Sequence, residues 1–180
     1  LAVLKRLKIP YLIWILLIAG FALRIGYSYM TPIQLRTHDV WEISDHSTGH
    51  ATYIVNLYLH HKLPTYYLAS QNYHPPLFHL VSAGLMFLYS FLHPHATLNE
   101  TFDVVRLVSC FAGCASLICI KNICNTLEIK PLASLFILAF CAVFPGFILV
   151  SGCSNNDSLA FFFLLLTLQM TCRWYQERKT

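Results

Sequence analysis

Four long apolar runs constrain the fold of this chain more than any other feature. They cover residues 9–30, 104–124, 131–150 and 158–174, and the third of them carries no charge. A helix needs about 20 mostly apolar residues to cross the hydrocarbon core of a bilayer. A soluble helical core could hold one such run, but hardly four within 180 residues. We therefore expect an all-α integral membrane protein in which these runs are the spanning helices.

The composition agrees with this expectation and excludes two other classes. The chain is 57% hydrophobic and 11% charged, with a mean hydropathy of +0.57, which is high for a soluble domain. Its seven cysteines are odd in number, lie mostly within the apolar runs and form no CxxC pair. A disulfide framework and a structural zinc site are therefore not expected. The small residues of the stretch 110–116 predict close helix packing instead.

The basic residues predict the topology. They form three clusters beside the apolar runs, at Lys5, Arg6 and Lys8, at Lys121 and Lys130, and at Arg173, Arg178 and Lys179. The positive-inside rule places all three clusters in the cytoplasm. A fifth apolar run at 76–92 is at the lower limit for a span, and a crossing there would put the second cluster outside. We therefore expect this run to lie along the outer surface, with residues 31–103 forming one external segment.

Polar chemistry is concentrated in this external segment. All nine histidines fall between His38 and His95. The pattern predicts two surface helices, at 49–62 and at 76–92, and the first run should end near Thr31. On the first surface helix, Ile54, Leu57, Tyr58 and His61 share a face, while His60 and His61 are also read as solvated. Two prolines after His74 predict a rigid corner that holds this histidine in a defined place.

An ordered set of short motifs resembles a family of membrane enzymes. The motifs are RTHD at 36–39, GH at 49–50 with YI at 53–54 and LP at 63–64, HPPL at 74–77, Arg106, and ND at 156–157. This set resembles the GT-C fold glycosyltransferases that use polyprenyl-phosphate sugars, the protein O-mannosyltransferases and aminoarabinose transferase-like enzymes. The resemblance covers nearly the whole chain. It departs from the family where Asp39 is followed by Val40 rather than by a second acid, with Glu42 coming later.

The resemblance implies a fold, a reaction and a set of site residues. It implies that residues 1–180 form the N-terminal membrane module of a longer glycosyltransferase with a GT-C-type helical bundle. Asp39 would act as general base on the acceptor hydroxyl, in an inverting transfer. Substrate-binding roles would fall to His38, His74, Arg106 and Asp157. On the residues alone, Asp157 could equally be a helix cap and Arg106 could equally extend toward lipid headgroups.

The expected partners are a polyprenyl-phosphate sugar donor, membrane lipid, and a protein, lipid or glycan acceptor, with no nucleic acid. The cofactor stays undefined, with a divalent metal ion left open. We expect a multi-pass protein of the bacterial plasma membrane rather than of the endoplasmic reticulum. The main alternative is a transport or metal-sensing protein with a histidine-rich external loop. No run carries an acid or a histidine at its centre, as an ion pathway usually does. A purely structural membrane subunit is a third reading.

Overall fold

The chain is all-helical throughout the part that the structure describes. A computed structural model of the protein describes residues 2–33, 42–46, 49–63 and 73–178, with side chains from residue 9 onward. The helices are α1 Ala2–Met30, α2 His50–His60, α3 Leu77–Leu92, α4 Leu98–Asp103, α5 Arg106–Thr126, α6 Pro131–Val143, α7 Pro145–Val150 and α8 Asp157–Glu177. The all-α class predicted from the sequence is confirmed for these residues.

In the part of the chain that the structure describes, two helical stretches are long and apolar enough to cross a membrane. They are Ile9–Met30 within α1 and Leu98–Thr126, which combines α4 and α5. Only 17% of the most apolar window of the first stretch is buried inside the protein, so most of its large apolar side chains face outward. The predicted span at 158–174 lies within α8. This helix is less apolar than α1, because Gln169 and Arg173 interrupt its second half.

The prediction of one continuous helix at 131–150 is wrong, because this run is divided into two helices. Phe144 adopts an extended conformation (φ −61°, ψ 117°) between α6 and α7. The cause is Pro145, which disfavours a helical conformation for the residue before it and has no N–H to donate to the Cys141 carbonyl. The run is therefore one apolar segment in the sequence but not one continuous helix.

Arg24 of α1 binds the carbonyl groups that this break leaves without helical partners. Its Nη2 donates to the Cys141 carbonyl and its Nη1 to the Ala142 carbonyl, both at 3.0 Å. Its guanidinium also lies over the Phe147 ring, 4.5 Å from the centroid. The side chain is fully buried. A buried charge is tolerated only with such partners, so Arg24 and the helix break stabilise each other.

Glycines bring the helices together beside this contact. A Cβ added at Gly113 of α5 would lie 2.1 Å from the Ser151 hydroxyl oxygen. A Cβ at Gly20 of α1 would lie 2.7 Å from a Leu117 methyl and 3.1 Å from the Ala142 Cβ. Only glycine fits at such approaches. The close packing predicted for the small residues 110–116 is therefore confirmed, and none of the seven cysteines, all of which lie within the described residues, forms a disulfide.

The helix contacts define the two ends of the bundle. Arg106, at the start of α5, donates from Nη1 to the Ser28 carbonyl in the last turn of α1 at 2.7 Å. Farther along, the Lys121 ammonium lies over the Trp14 ring, 4.9 Å from its centroid. The two helices are therefore antiparallel. The end of α1 and the start of α5 lie together, and we call this the upper end.

Helix α8 also starts at the upper end. Leu159 in its first turn packs against the buried cluster that contains Val105 and Val108 at the start of α5. Farther along both helices, Asn122 Nδ2 donates to Gln169 Oε1 at 3.4 Å. Helices α5 and α8 therefore run in the same direction. The turn between α5 and α6 and the end of α8 both lie at the lower end, where the sequence has two of its basic clusters.

A hydrophobic core separate from the contacts around Gly20 and Gly113 covers the upper end. It consists of residues from α2, α3, α4 and the start of α5. Its central residues include Ile54, Phe78, Met86, Phe102 and Val105, all almost fully buried. Helix α4 begins with a capping box in which the Thr97 hydroxyl and the Glu100 carboxylate satisfy each other's backbone N–H. Helices α2 and α3 start and end within two residues of the predicted surface helices, 49–62 and 76–92.

The burial pattern of α2 confirms part of the sequence prediction. Ile54 and Leu57 are buried, Tyr58 is half-buried, and His60 and His61 are exposed, as their solvated reading predicted. His61 ends the helix with a left-handed backbone (φ 54°) and does not share the buried face. His50 and its next five residues are all buried, so the first half of α2 is a core helix rather than a one-sided surface helix. Helix α3 buries one face and exposes apolar side chains on the other, including Phe91.

Candidate functional site

The start of α8 is built by a compact turn. The residues from Ser151 to Asn155 are buried between α7 and α8. The Ser158 hydroxyl donates to the Val150 carbonyl at 2.8 Å and ties the first turn of α8 to the end of α7. Asp157 is exposed in this first turn. The positive end of the helix dipole stabilises a carboxylate at such a position.

His74 lies against this turn, on the chain segment that enters α3. The amide nitrogen of Asn156 is 3.4 Å from His74 Nδ1. Pro75 and Pro76 follow His74, and α3 begins directly after them, with Pro76 as its N-cap. The prolines restrict the backbone and so fix the direction in which the chain leaves His74. Two of the predicted substrate-binding positions, His74 and Asp157, are thereby brought to neighbouring places at the upper end.

His74 belongs to a group of contacting rings that includes Tyr73, His50, His79 and Tyr53. The His50 ring centroid is 4.9 Å from that of His74, and His50 Nδ1 is 2.9 Å from His79 Nε2. On the other side, the Tyr53 ring stacks on His79 with centroids 3.9 Å apart. His50 and His79 are buried and His74 is half-buried. We call His50, His74 and His79 the histidine cluster.

Burial keeps His79 neutral. Its desolvation, reinforced by neighbouring His50, lowers the pKa of His79 from its ordinary value of 6.5 to about 3. The nearby backbone of Pro75 favours a proton on the ring and so raises the pKa of His79, but its effect is smaller than that of burial. Burial likewise raises the pKa of Tyr53, whose phenol lies beside this ring. At neutral pH the His79 and Tyr53 side chains are therefore uncharged.

Arg106 lies at the same end but is engaged by other groups. Its Nη2 forms an ion pair with the Asp103 carboxylate, and its Nη1 donates to the Ser28 carbonyl. It borders a polar recess of about 310 Å³ together with Tyr29 and Glu100. Asp157 instead borders an almost entirely apolar cavity of about 480 Å³ between α5, α6, α7 and α8. A phosphate that binds Arg106 would have to compete with Asp103.

The remaining predicted site residues and the metal question have separate outcomes. His38 and Asp39 lie outside the described residues, so their predicted roles stay predictions. Within the described ranges, no group of three or more His, Cys, Asp or Glu side chains has the arrangement of a metal site. Asp45, in the loop before α2, binds exposed His60 at 2.8 Å, and its carbonyl accepts from Asn56. His60 therefore anchors the preceding loop as well as facing solvent.

Sequence reasoning missed His50 and His79, although a usable signal was present. His50 is four and seven residues before Ile54 and Leu57, so it shares their helical face and is buried with them. His79 has the same spacing from Ala83 and Met86 on the buried face of α3. The periodicity that placed the apolar residues in the core thus also placed both histidines there.

The chain was compared with protein-family models, curated proteins and solved structures, and none of them matches it.

Proposed function

We propose that this protein is a multi-pass membrane glycosyltransferase that moves a sugar from a polyprenyl-phosphate donor to an acceptor hydroxyl. The observation that carries the proposal is the contact between His74 and Asn156, which are 82 residues apart in the chain. It unites the HPPL and ND motifs at the upper end, as a shared site requires. The resemblance of the ordered motifs supplies the reaction type.

The bundle supports a membrane location with the upper end facing outward. The stretches Ile9–Met30 and Leu98–Thr126 are long enough to span, and α6 with α7, and α8, would complete the bundle. Basic residues flank the lower end, at Lys121 and Lys130, as expected for a cytoplasmic face. Helix α3 packs at the upper end with an exposed apolar face, which suits a helix lying in the membrane interface.

The reaction assigns a separate task to each polar group. Asp39 follows the upper end of α1 by a few residues and would take the proton of the acceptor hydroxyl. The hydroxyl oxygen then bonds to the anomeric carbon as the bond from that carbon to the phosphate oxygen breaks. The phosphate leaves with the electron pair, and the configuration at carbon inverts. His74 would donate a hydrogen bond to the departing phosphate, and Asp157 would hold the acceptor.

Arg106 would bind the phosphate only by exchanging a partner. Its ion pair with Asp103 neutralises it in the absence of substrate. The donor phosphate is a diester with one negative charge and becomes a dianion as the sugar leaves, so Arg106 would pair most strongly with the departing phosphate, through two of its oxygens. Asp103→Asn should therefore strengthen phosphate binding, whereas Arg106→Gln should weaken it.

The proposal is tested by binding to the full-length protein in detergent micelles. Farnesyl phosphate serves as the probe because it combines an isoprenoid chain with a phosphate, and zinc ion serves as the probe for metal sensing. We expect farnesyl phosphate to bind the wild type, and His74→Ala to weaken binding about tenfold or more, since a hydrogen bond to a charged group contributes about 1.5–3 kcal/mol.

The matched control is His95→Ala, which removes an exposed histidine that lies beyond the end of α3. This variant should bind like the wild type. Equal affinity of the wild type and His74→Ala would contradict the site. Zinc binding without farnesyl phosphate binding would favour the metal-sensing alternative over the enzyme.

A further inference from the structure

The hydrogen bond between His50 and His79 has no role in the reaction as described, yet it is the most buried polar side-chain contact near the site. The two rings are 2% and 0% exposed. Burying an imidazole costs free energy unless its nitrogens find partners, and a phenylalanine would fill the same space without that cost. Two such rings in one core therefore indicate a task beyond filling space.

The hydrogen bond to His50 is the contact that satisfies the His79 ring. One ring must donate and the other accept across the 2.9 Å between His50 Nδ1 and His79 Nε2. Within the described residues, His79 Nδ1 has no hydrogen-bond partner, so the buried His79 ring depends on His50 for its polar contact.

The pair is linked to His74 by ring contact. The His50 ring lies 4.9 Å from His74 with an interplanar angle of 36°, while Tyr53 closes the far side of His79. The titratable groups that act on His79 are thus His50 and Tyr53 from α2 and His74 from the entry to α3. A rotation of the His50 ring would remove the surface against which His74 rests.

We propose that His50 and His79 are positioning residues for His74: the hydrogen bond between their buried rings fixes the orientation in which His74 presents its nitrogens to the donor phosphate. The inference rests on the proposed function, since it assumes that His74 meets the phosphate. Fixing a ligand side chain through a partner behind it is a general way to keep an imidazole in one tautomer.

Two substitutions at the same position separate this role from simple packing. His79→Phe keeps a ring against Tyr53 but removes the hydrogen-bond partner of His50. His79→Gln removes the ring but keeps an amide group that can donate to His50 or accept from it. If the pair positions His74, the Phe variant should bind farnesyl phosphate about 10- to 100-fold more weakly, as loss of an orienting partner does at metal-ligating histidines, and the Gln variant should stay close to the wild type. If His79 only fills the core, the order is reversed, and that result would overturn the proposal.

A second measurement does not depend on the donor. In the full-length protein with ¹⁵N-labelled histidine, two-bond ¹H–¹⁵N spectra report the tautomer of each ring. We expect a proton on either His50 Nδ1 or His79 Nε2 but not on both, and a His74 pattern that changes in His79→Phe but not in His79→Gln. Identical His74 signals in all three proteins would overturn the positioning role. Failure of the wild type to bind farnesyl phosphate, with the predicted spectra intact, would sink the proposed function and leave the ring arrangement standing.

Discussion

His79 should make the stability of the protein depend on pH between pH 7 and pH 5. In the unfolded chain this histidine has an ordinary pKa near 6.5, whereas burial lowers the pKa of the folded ring to about 3. Below pH 6.5 the unfolded state binds a proton that the folded state does not, so the free energy of unfolding falls as the pH falls. Lowering the pH from 7 to 5 should lower the free energy of unfolding by about 2 kcal/mol, since each pH unit below the pKa of the unfolded chain contributes about 1.4 kcal/mol.

The assay is thermal unfolding of the protein in one detergent at pH 7, 6 and 5, with His79→Phe as the control. The wild-type melting temperature should drop by about 4–8 °C more than that of the variant, at about 2–4 °C per kcal/mol for a chain of this size. The histidines outside the cluster contribute to both proteins and cancel in the comparison. Equal pH dependence of the two proteins would mean that His79 is not buried in the neutral form, and the account of the histidine cluster would be refuted.

Two further predictions concern the contacts that hold the bundle together, both measured as the melting temperature in the same detergent. Gly113→Ala should destabilise by about 1–3 kcal/mol through overlap with Ser151, whereas Gly26→Ala, with open space at its Cβ, should be neutral or stabilising; equal effects would refute the close approach. Arg24→Met should cost about 1–3 kcal/mol for each carbonyl left unpartnered. Adding Pro145→Ala should recover part of that loss by supplying a backbone N–H, and a further loss would contradict the explanation of the helix break.

The helices near the candidate site were predictable because their signals are local. The prolines before Leu77 and the apolar periodicity of the following residues predict α3 within one residue of its start. The period of α2 is equally visible, although its deep burial is not, because that depends on packing against α3 and α4. The run at 131–150 was predicted as one span because a high mean hydropathy does not reveal the effect of Pro145, which breaks the helix.

Contacts between distant residues were beyond sequence reasoning. The role of Arg24 could not be predicted, because its carbonyl partners belong to a helix more than a hundred residues away. The engagement of Arg106 by Asp103 is local, at a spacing of three residues, and could have been found from that spacing. The contact between His74 and Asn156 depends on how the whole bundle packs, and the resemblance predicted only the order of their motifs.

The most direct test of the central claim is sugar transfer from a polyprenyl-phosphate donor by the full-length protein with Asp39→Asn. This change keeps the size of the side chain and removes the base, and loss of a general base typically costs about 10²–10⁴-fold in rate. Asp45→Asn is the control, because Asp45 binds His60 and serves the loop rather than the reaction. We predict a large loss of turnover for Asp39→Asn at an unchanged melting temperature, and near-normal turnover for Asp45→Asn. Near-normal turnover of Asp39→Asn would contradict the assignment of the base, and absence of transfer by the wild type would contradict the proposed function.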